Sequence, residues 1–292
     1  MKVFILANPQ AGSHQAKKLI QEIKQDYPQL TIKVYLTQRP DDEKHQVAAI
    51  IEEFTPQDRL LILGGDGTLS KTLTSWPAQL PFAYYPTGSG NDFAKSLSIH
   101  KLDQVMKALL TDKKESIFVL DTPLGVAVNT MDIGFAVQVI SYATNSSLKT
   151  FLNKIKLGKL TYLLCAIRSL LSHQVFDLTL EVDGRREIIR NLFFFSTANN
   201  TYFGGGIMIW PESRASQKQM DLVYIENAPL YQRILALLDL LLQRHQQSIY
   251  LKHLTGEKVS IILDKPILLQ LDGEMSSAKS LTMTCQERFI YQ

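Results

Sequence analysis

The chain has 292 residues, of which 45% are hydrophobic and 20% charged, and its formal net charge is +3. This composition predicts a folded protein of one large or two ordinary domains and excludes a disordered chain, while the small net charge gives no support for nucleic-acid binding. The two cysteines lack metal-ligand spacing, which argues against a disulfide scaffold or zinc site. The N-terminus is predicted to be a strand rather than a secretion signal, and no apolar run reaches membrane-spanning length, so we expect a cytoplasmic protein.

The first 120 residues alternate between short apolar strands and helices. Strands are predicted at 2–7, 31–36, 60–63 and 81–85, and helices at 15–26, 41–54, 92–97 and 102–110. Such alternation predicts a parallel sheet covered by helices on both faces.

The pattern changes near residue 121, where short strands follow one another. They are predicted at 118–120, 125–129, 176–182, 188–196, 220–225, 258–263, 267–271 and 281–285, with helices at 148–171 and 230–250. The segment "EVDGRRE" carries the Asp-Gly signature of a hairpin turn. We therefore predict an antiparallel, sandwich-like second domain, onto which the 230–250 helix packs as a crossover. The predicted division is 1–122, 123–280, and a tail at 281–292 that could return to the first domain.

The stretch "RLLILGGDGTLSK" at 59–71 is predicted to form a strand, a glycine-rich turn and a helix. This geometry offers free backbone N–H groups at a helix N-terminus, where phosphate binds, and glycines let a ligand approach closely. The pattern matches neither a Walker A loop nor G-x-G-x-x-G. Asp66 would repel bare phosphate, which indicates a Mg²⁺–nucleotide complex. The alternative is a simple strand-to-helix turn with an Asp or Thr cap.

Two further loops of small residues follow strands of the same predicted sheet. They are "NPQAG" at 8–12 and "PTGSGNDFAKSL" at 86–97, and Thr37 follows the second strand. The carboxyl ends of parallel strands meet at one edge, where ligands of open α/β sheets bind. We therefore expect a ligand crevice at this edge.

With "TANNTYFGGG" at 197–206 and "LDGE" at 271–274, these motifs resemble the catalytic domain shared by diacylglycerol kinases, sphingosine kinases and their bacterial lipid-kinase relatives. The resemblance covers almost the whole chain. The Gly-Gly-Asp-Gly-Thr core is also similar to that of NAD kinases and, more loosely, phosphofructokinases, whereas "GSGNDFA" and "LDGE" select the lipid-kinase branch. The implied fold is an α/β domain with an NAD kinase/phosphofructokinase-like parallel sheet, followed by a mainly antiparallel β-sandwich.

The resemblance implies ATP between the two domains and transfer of its γ-phosphoryl group to a lipid hydroxyl, with Mg²⁺ bridging phosphate oxygens. The implied general base is Glu274, supported by Asp272 and Asp66, and the implied metal ligands are Asp66, Asp92 and Asp121. From the residues alone, the 272–274 turn could equally be a surface hairpin with solvated acids. The implied nucleotide-binding residues are Asn8, Pro9, Gly12, Thr37, Gly64, Gly65, Asp66, Gly67, Thr68, Leu69, Ser70, Lys71, Thr87, Gly88, Gly90, Asn91 and Asp92.

The chain departs from the family pattern in the second domain. Ser216, Gln217 and Lys218 stand where bacterial relatives carry acids and a glycine of a structural Mg²⁺ loop. Because a hard dication needs several oxygen ligands, we predict that this site is absent or only weakly occupied, with Lys218 taking over part of its electrostatic role beside Asp221. Asp132, Ala136 and Asn200 also differ from residues common in the family. These changes put the acceptor in doubt rather than the use of ATP.

The 148–171 segment mixes lysines with leucines and contains no acid. Such a helix is typical of a peripheral protein on an anionic membrane, and we expect the contact at the inner face of the membrane. The alternative is a helix that packs its leucines on the sandwich and leaves its basic face in solvent. The sequence also leaves open whether the protein forms a homodimer.

The leading interpretation is an enzyme of phospholipid biosynthesis that converts diacylglycerol to phosphatidic acid. The alternatives are a kinase for phosphatidylglycerol, a sphingoid base or NAD, and a nucleotide-binding regulator that has lost catalysis. Neither nucleic acid nor a zinc cofactor is expected.

Overall fold

The structure is a computed structural model that describes residues 1–12, 14–144, 158–171, 175–204, 206–226 and 228–292. In these ranges no helix is both long enough and apolar enough to cross a bilayer.

The first domain is built on a four-stranded parallel sheet in the order β2-β1-β3-β4. Its strands are β1 (Lys2–Ala7), β2 (Thr31–Leu36), β3 (Arg59–Gly64) and β4 (Ala83–Pro86). The helices are α1 (Ala16–Asp26), α2 (Glu43–Ile51), α3 (Asp66–Ser75), α4 (Asp92–Ser96) and α5 (Leu102–Leu110). The central strands β1 and β3 are buried after their first residue, as strands covered on both faces must be. The predicted parallel sheet is confirmed.

The loops after the strands are tied together at one edge of this sheet. The N–H of Asn8 donates to Leu63 O (2.9 Å), that of Thr37 to Ala7 O (3.0 Å), and that of Thr87 to Gly64 O (2.8 Å). These bonds continue the sheet ladder past the strand ends, so the loops after β1, β3 and β4 lie side by side.

The second domain centres on a nine-stranded antiparallel sheet. Its path is β13-β12-β9-β7-β14-β15-β5-β6, with β8 paired to both β14 and β9. The strands are β5 (Lys114–Thr122), β6 (Gly125–Ala127), β7 (Thr130–Gly134), β8 (Phe176–Val182), β9 (Arg185–Ala198), β12 (Met220–Glu226), β13 (Lys252–Gly256), β14 (Lys258–Leu271) and β15 (Glu274–Tyr291). A small hairpin joins β10 (Tyr202–Phe203) to β11 (Ile207–Met208). The helices are α6 (Phe135–Thr144), α7 (Gly158–Leu171) and α8 (Leu230–Leu241), with a 3₁₀ turn at His245–Gln247.

Several predictions for this domain need correction. The strand β7 and the helix α6 were not predicted, and the 230–250 helix ends at Leu241. The prediction that this helix packs on protein is correct for one face only, which buries Arg233, Ala236 and Leu240; the opposite face is exposed. Of the predicted 148–171 helix, residues 158–171 form α7, and the remainder lies outside the described residues.

The two domains are joined through β5 and β15. The strand β5 lies within the predicted first domain, which ends at residue 122, but it is hydrogen-bonded in the second sheet, next to β15. The end of β15 reaches the first domain, because Phe82 donates its N–H to Phe289 O (3.0 Å) and Tyr291 donates to Phe82 O (2.8 Å). The division at residues 122 and 280 stays a prediction.

Candidate active site

Glycine backbones pack against each other where β3 meets α3. Gly65 is in an extended conformation, and α3 begins at Asp66. A Cβ placed on Gly88 would lie 2.7 Å from Gly65 Cα, so a larger residue at 88 would push the two loops apart. The first N–H groups of a helix have no acceptor within the helix. The turn therefore presents backbone donors beside the glycines Gly65 and Gly88.

The loop after β1 closes the same surface from the other side. Asn8 donates from Nδ2 to Thr68 Oγ1 (3.1 Å) and accepts from the Gln10 N–H (2.9 Å). Gly12 has a φ of +50°, and a Cβ there would lie 2.4 Å from Thr87 O. Only glycine satisfies both the left-handed backbone and this close approach. The three predicted loops are thus in direct contact.

Asp66 lies at the base of the turn. Its Oδ2 accepts the Asp92 N–H (2.8 Å), and Tyr84 OH lies 3.4 Å from its Oδ1. Burial, together with the nearby charge of Asp272, raises the pKa of Asp66 to about 6, although hydrogen bonds from Asp92 and Asn129 oppose the shift. Asp66 is therefore an acid whose ionised form would gain from a cation in the cleft.

Asp272 occupies the β14–β15 turn, in which Asp272 and Gly273 both have positive φ. Burial raises the pKa of this carboxyl, while the hydrogen bonds that it accepts oppose the shift. Its donors are Ser70 Oγ (2.5 Å) on α3 and the N–H groups of Val128 (2.6 Å), Asn129 (2.9 Å) and Thr130 (3.0 Å). Asp272, which is half-buried, therefore braces α3 against the start of β7.

Glu274, two residues later, is exposed over 59% of its side chain. Its Oε1 lies 2.7 Å from Lys71 Nζ, which in turn lies 2.9 Å from Asp41 Oδ1. Partial burial works to lower the pKa of Lys71, but hydrogen bonds to Glu274 and Asp41 outweigh it and raise the pKa above its ordinary value. Lys71 is therefore a firmly charged cation between two carboxylates.

Two clefts of about 350 Å³ each meet at the Lys71–Glu274 pair. We call the glycine-rich one the upper cleft; it is lined by Asn8, Ala11, Gly12, Glu43, Gly65, Asp66, Gly67, Thr68, Lys71, Gly88, Ser89, Gly90, Asn91 and Glu274. The lower cleft is lined by Asp41, Lys44, Ser70, Lys71, Thr74, Ser75, Leu124, Gly125, Val126, Leu271, Glu274, Met275 and Ser276. A group bound in either cleft can thus reach Lys71 and Glu274.

Eleven of the predicted site residues line the upper cleft, namely Asn8, Gly12, Gly65, Asp66, Gly67, Thr68, Lys71, Gly88, Gly90, Asn91 and Glu274. The others lie outside that lining: Pro9, Thr37, Gly64, Leu69, Ser70, Thr87, Asp92, Asp121 and Asp272. Leu69 is fully buried in the first-domain core, and Asp121 is in β5 opposite Thr284.

Ala11 and Ser89 also line the cleft and belong to the predicted loops, whereas Glu43 was not predicted as a lining residue. Glu43 is buried at the start of α2, and its Oε2 has no hydrogen-bond partner among the described residues. Burial raises the pKa of Glu43, and the Lys71 charge opposes the shift. The signal that could have found it is the acidic run "DDE" directly after the loop that carries Thr37.

No three His, Cys, Asp or Glu side chains in the described ranges converge closely enough to hold a metal ion by themselves. At the altered loop of the second domain, Asp221 is buried and is bound by Ser213 Oγ and by His253 Nε2 (2.8 Å). Lys218 pairs with Glu257 instead (2.7 Å). The contact to Asp221 is thus made by His253, and the electrostatic role expected of Lys218 at this loop stays a prediction.

Residues 2–121 match the diacylglycerol kinase catalytic domain, and residues 138–290 match the YegS C-terminal domain, described as NAD kinase beta sandwich-like. The chain belongs to the diacylglycerol kinase catalytic-domain family. Members of this family are kinases, and the second match agrees with the antiparallel sheet seen here.

The similar proteins carry names of the same kind. A Bacillus subtilis protein named "Putative lipid kinase YtlR" is 21% identical over 93% of each chain, and a Staphylococcus epidermidis protein named "Putative lipid kinase" is 28% identical over 75% of this chain and 71% of its own. The fold is that of a Bacillus anthracis structure titled "putative diacylglycerol kinase", with a TM-score of 0.77, 18% identity and coverage of 99% and 94%. An Archaeoglobus fulgidus NAD kinase in complex with ATP gives a TM-score of 0.51, 15% identity and coverage of 99% and 93%.

Proposed function

We propose that this protein is an ATP- and Mg²⁺-dependent lipid kinase that transfers the γ-phosphoryl group to the hydroxyl of diacylglycerol, giving phosphatidic acid. The observation that carries the proposal is the position of Glu274. It is an exposed carboxylate at the boundary of a glycine-rich cleft and a second cleft of similar size. A phosphoryl donor in one cleft and an acceptor in the other would both reach it.

The upper cleft fits a nucleoside triphosphate. Its wall is backbone at Gly65, Gly67 and Gly88, and a Cβ on Gly90 would meet no atom within 4 Å, so this side is open. Backbone N–H groups at the start of α3 would bind phosphate oxygens, and Lys71 would hold a terminal phosphate from the cleft boundary. ATP is the expected occupant because the chain belongs to a kinase family.

The cleft also fits Mg²⁺, provided that phosphates supply most of the ligands. Mg²⁺ is usually held by one or two carboxylates together with phosphates and water, which agrees with the lack of an all-protein cluster in the described ranges. Asp66 would hold it, and Asp92 is close, since its N–H binds the Asp66 carboxylate. When bound, the ion supplies neutralisation of the charge that develops on the transferred group.

Glu274 would act as the general base that takes the proton from the acceptor hydroxyl. Its partner Lys71 is long and flexible and borders both clefts, so it can bind a phosphate oxygen while Glu274 faces the acceptor. Asp272 would not take the proton, because four donors already occupy its carboxylate. Its part is to hold the turn that carries Glu274.

Transfer of label from [γ-³²P]ATP tests the proposal. The acceptors are diacylglycerol, phosphatidylglycerol, a sphingoid base and NAD, each presented with Mg²⁺ and with excess chelator. We expect label on diacylglycerol, lost when the metal is chelated. Faster labelling of another lipid or of NAD would replace diacylglycerol as the substrate. ATP binding without transfer to any acceptor would favour the nucleotide-binding regulator.

A further inference from the structure

The helix α8 exposes an apolar face. Every residue of α8 with a strongly exposed side chain is apolar, with exposures between 38% and 59%. These residues and Leu242 form what we call the outer stripe: Leu230, Tyr231, Ile234, Leu235, Leu238, Leu241 and Leu242. The buried face of the same helix contains Arg233, whose Nε donates to Ala228 O (2.8 Å). The usual polarity of a surface helix is thus inverted.

The outer stripe is continuous along the helix. At about 100° per residue its seven positions fall within an arc of about 140°, and they run the full length of α8. Scattered surface leucines are ordinary, but a contiguous apolar surface of this kind marks an interaction site. Asp239, the acid of this helix, is half-buried and lies outside the arc.

The stripe has an apolar neighbour in α7, which contacts α8. On α7 the side chains of Leu164, Ile167 and Leu171 are exposed by 45%, 47% and 58%. Arg168 is exposed among them, with its guanidinium 4.3 Å from the Tyr142 ring centre. The combined surface is therefore apolar with a basic residue in it.

Two exposed basic side chains border this surface. Arg168 lies on α7 among the apolar residues, and Arg244 lies three residues after the end of α8. An anionic lipid surface complements this charge, whereas a second copy of the chain docked on the same face would bring like charges together.

We propose that the outer stripe of α8, with the exposed leucines and isoleucine of α7, docks onto an anionic lipid bilayer. The inference rests on the proposed function, because a lipid acceptor is reached only at a bilayer. It goes beyond that function by assigning the contact to the crossover helix between β12 and β13. The apolar side chains enter the headgroup–acyl boundary, and the basic residues bind lipid phosphates.

Co-sedimentation with vesicles tests the docking surface without using activity. The vesicles are phosphatidylcholine alone and phosphatidylcholine mixed with phosphatidylglycerol. The test variant is Leu238→Gln/Leu241→Gln, and the matched control is Ile188→Gln/Ile262→Gln, which removes two isoleucines of similar exposure on β9 and β14. We expect wild type to bind the anionic vesicles, the control to match it, and the test variant to bind at least about tenfold more weakly. Equal binding by test and control variants would overturn the proposal.

A tryptophan probe covers the case in which the double variant is misfolded. Leu238→Trp keeps the site apolar, and its emission should shift to the blue on anionic vesicles, whereas that of Ile188→Trp should not. Light scattering of the wild type adds a further arm. A stable dimer that the Leu238→Gln/Leu241→Gln change dissociates would assign the stripe to a second copy and contradict docking on lipid.

Activity separates the docking surface from the proposed function. With an acceptor dispersed in detergent micelles, the test variant should transfer phosphate at the wild-type rate and should be slower only on vesicles. If wild type phosphorylates no acceptor but binds vesicles through the stripe, the proposed function fails and the docking surface stands. If transfer occurs and vesicle binding does not depend on the outer stripe, the docking surface fails and the proposed function stands.

Discussion

Two Asp-Gly turns in the second domain have almost the same backbone and different surroundings. In the β8–β9 turn Asp183 and Gly184 have φ values of +49° and +83°, and in the β14–β15 turn Asp272 and Gly273 have +47° and +90°. Each joins its strands through two residues, with Val182 paired to Arg185 and Leu271 paired to Glu274. The sequence signature predicted this turn geometry in "EVDGRRE".

The partners of the two aspartates differ. Asp183 is exposed and binds the N–H groups of Glu257 (3.1 Å) and Lys258 (2.9 Å) within its own domain. Asp272 is half-buried between the domains and is bound by Ser70 of α3 and by three N–H groups before and within β7. The turn motif therefore determines the backbone, and the partners that the fold brings to the carboxylate determine its role.

The largest expected effect is the loss of the Asp272 carboxylate. Asp272→Ala leaves the buried N–H groups of Val128, Asn129 and Thr130 without an acceptor, which should lower the free energy of unfolding by about 3–5 kcal/mol. Asp183→Ala should stay within about 1 kcal/mol of wild type, because water can replace its carboxylate. Urea denaturation of both variants checks this difference. Equal losses would show that the two turns are energetically alike.

A third aspartate sharpens the comparison, because its donors are side chains rather than backbone. Asp132 is fully buried on β7 and is bound by Thr130 Oγ1 (2.9 Å) and Gln270 Nε2 (2.5 Å). Burial raises its pKa to about 6, opposed by hydrogen bonds from Ser196, Thr130 and Gln270. The folded state therefore binds a proton between about pH 4 and pH 6 that the unfolded state has lost, so this residue weakens the fold increasingly as pH rises through that window.

Asp132→Asn should accordingly stabilise the protein by about 2–3 kcal/mol at pH 8 and leave its stability almost unchanged at pH 4. The side-chain donors around it can reorient toward an amide, unlike the fixed N–H groups at Asp272. Thermal denaturation across this pH range is the measurement. A variant that is less stable than wild type at pH 8 would contradict the assignment of Asp132 as an uncompensated buried acid.

The next largest effect is expected on ATP binding, from the loss of Lys71, the cation beside Glu274. Lys71→Met removes a charged contact proposed for the ATP phosphates and should raise the KM for ATP by about 10- to 100-fold. Stability should change little, because the ion pairs of Lys71 are partly exposed. Lys44→Met is the matched control, since Lys44 lines only the lower cleft. An unchanged KM for ATP would remove Lys71 from the nucleotide site.

The smallest effect concerns the residues that follow the two glycines. Glu274→Gln and Arg185→Gln should each change the free energy of unfolding by less than about 0.5 kcal/mol, since both side chains are exposed. Calorimetry checks both. A large loss for Glu274→Gln would make this residue a structural element of the turn.

The first domain was predictable because its signals are local. The apolar runs at 3–7 and 60–64 contain no charged residue, and such runs between helices are typical of buried parallel strands. The three small-residue loops follow strand ends, so the parallel topology alone places them together. Element positions in this domain agree with the structure to within a few residues.

The second domain was predicted less completely, for physical reasons. The strand β7 is only Thr130–Gly134, and it passes directly into α6 at Gly134, whose φ is +81°. A short buried strand without alternation cannot be separated from a helix by periodicity. The exposed apolar face of α8 was not predicted. The sequence shows which positions of a helix are apolar, but it does not show which of its faces packs against the rest of the protein.

Part of the site could not be predicted from the sequence. The motifs indicated Asp66, Lys71 and Glu274 individually, but the ion pair between Lys71 and Glu274 joins residues from different domains that only the tertiary fold brings together. The backbone hydrogen bonds to the Asp272 carboxylate depend in the same way on the start of β7, which was not predicted. The contact of His253 with Asp221 was not predicted either, because it depends on the pairing of β12 with β13.

The most direct test of the account is the transfer rate of Glu274→Gln compared with its ATP affinity. With diacylglycerol in mixed micelles, the variant should lose about 10²- to 10⁴-fold in kcat while ATP binding by calorimetry stays within about threefold of wild type. A variant that transfers phosphate at the wild-type rate would contradict the role of Glu274 as the base at the boundary of the two clefts.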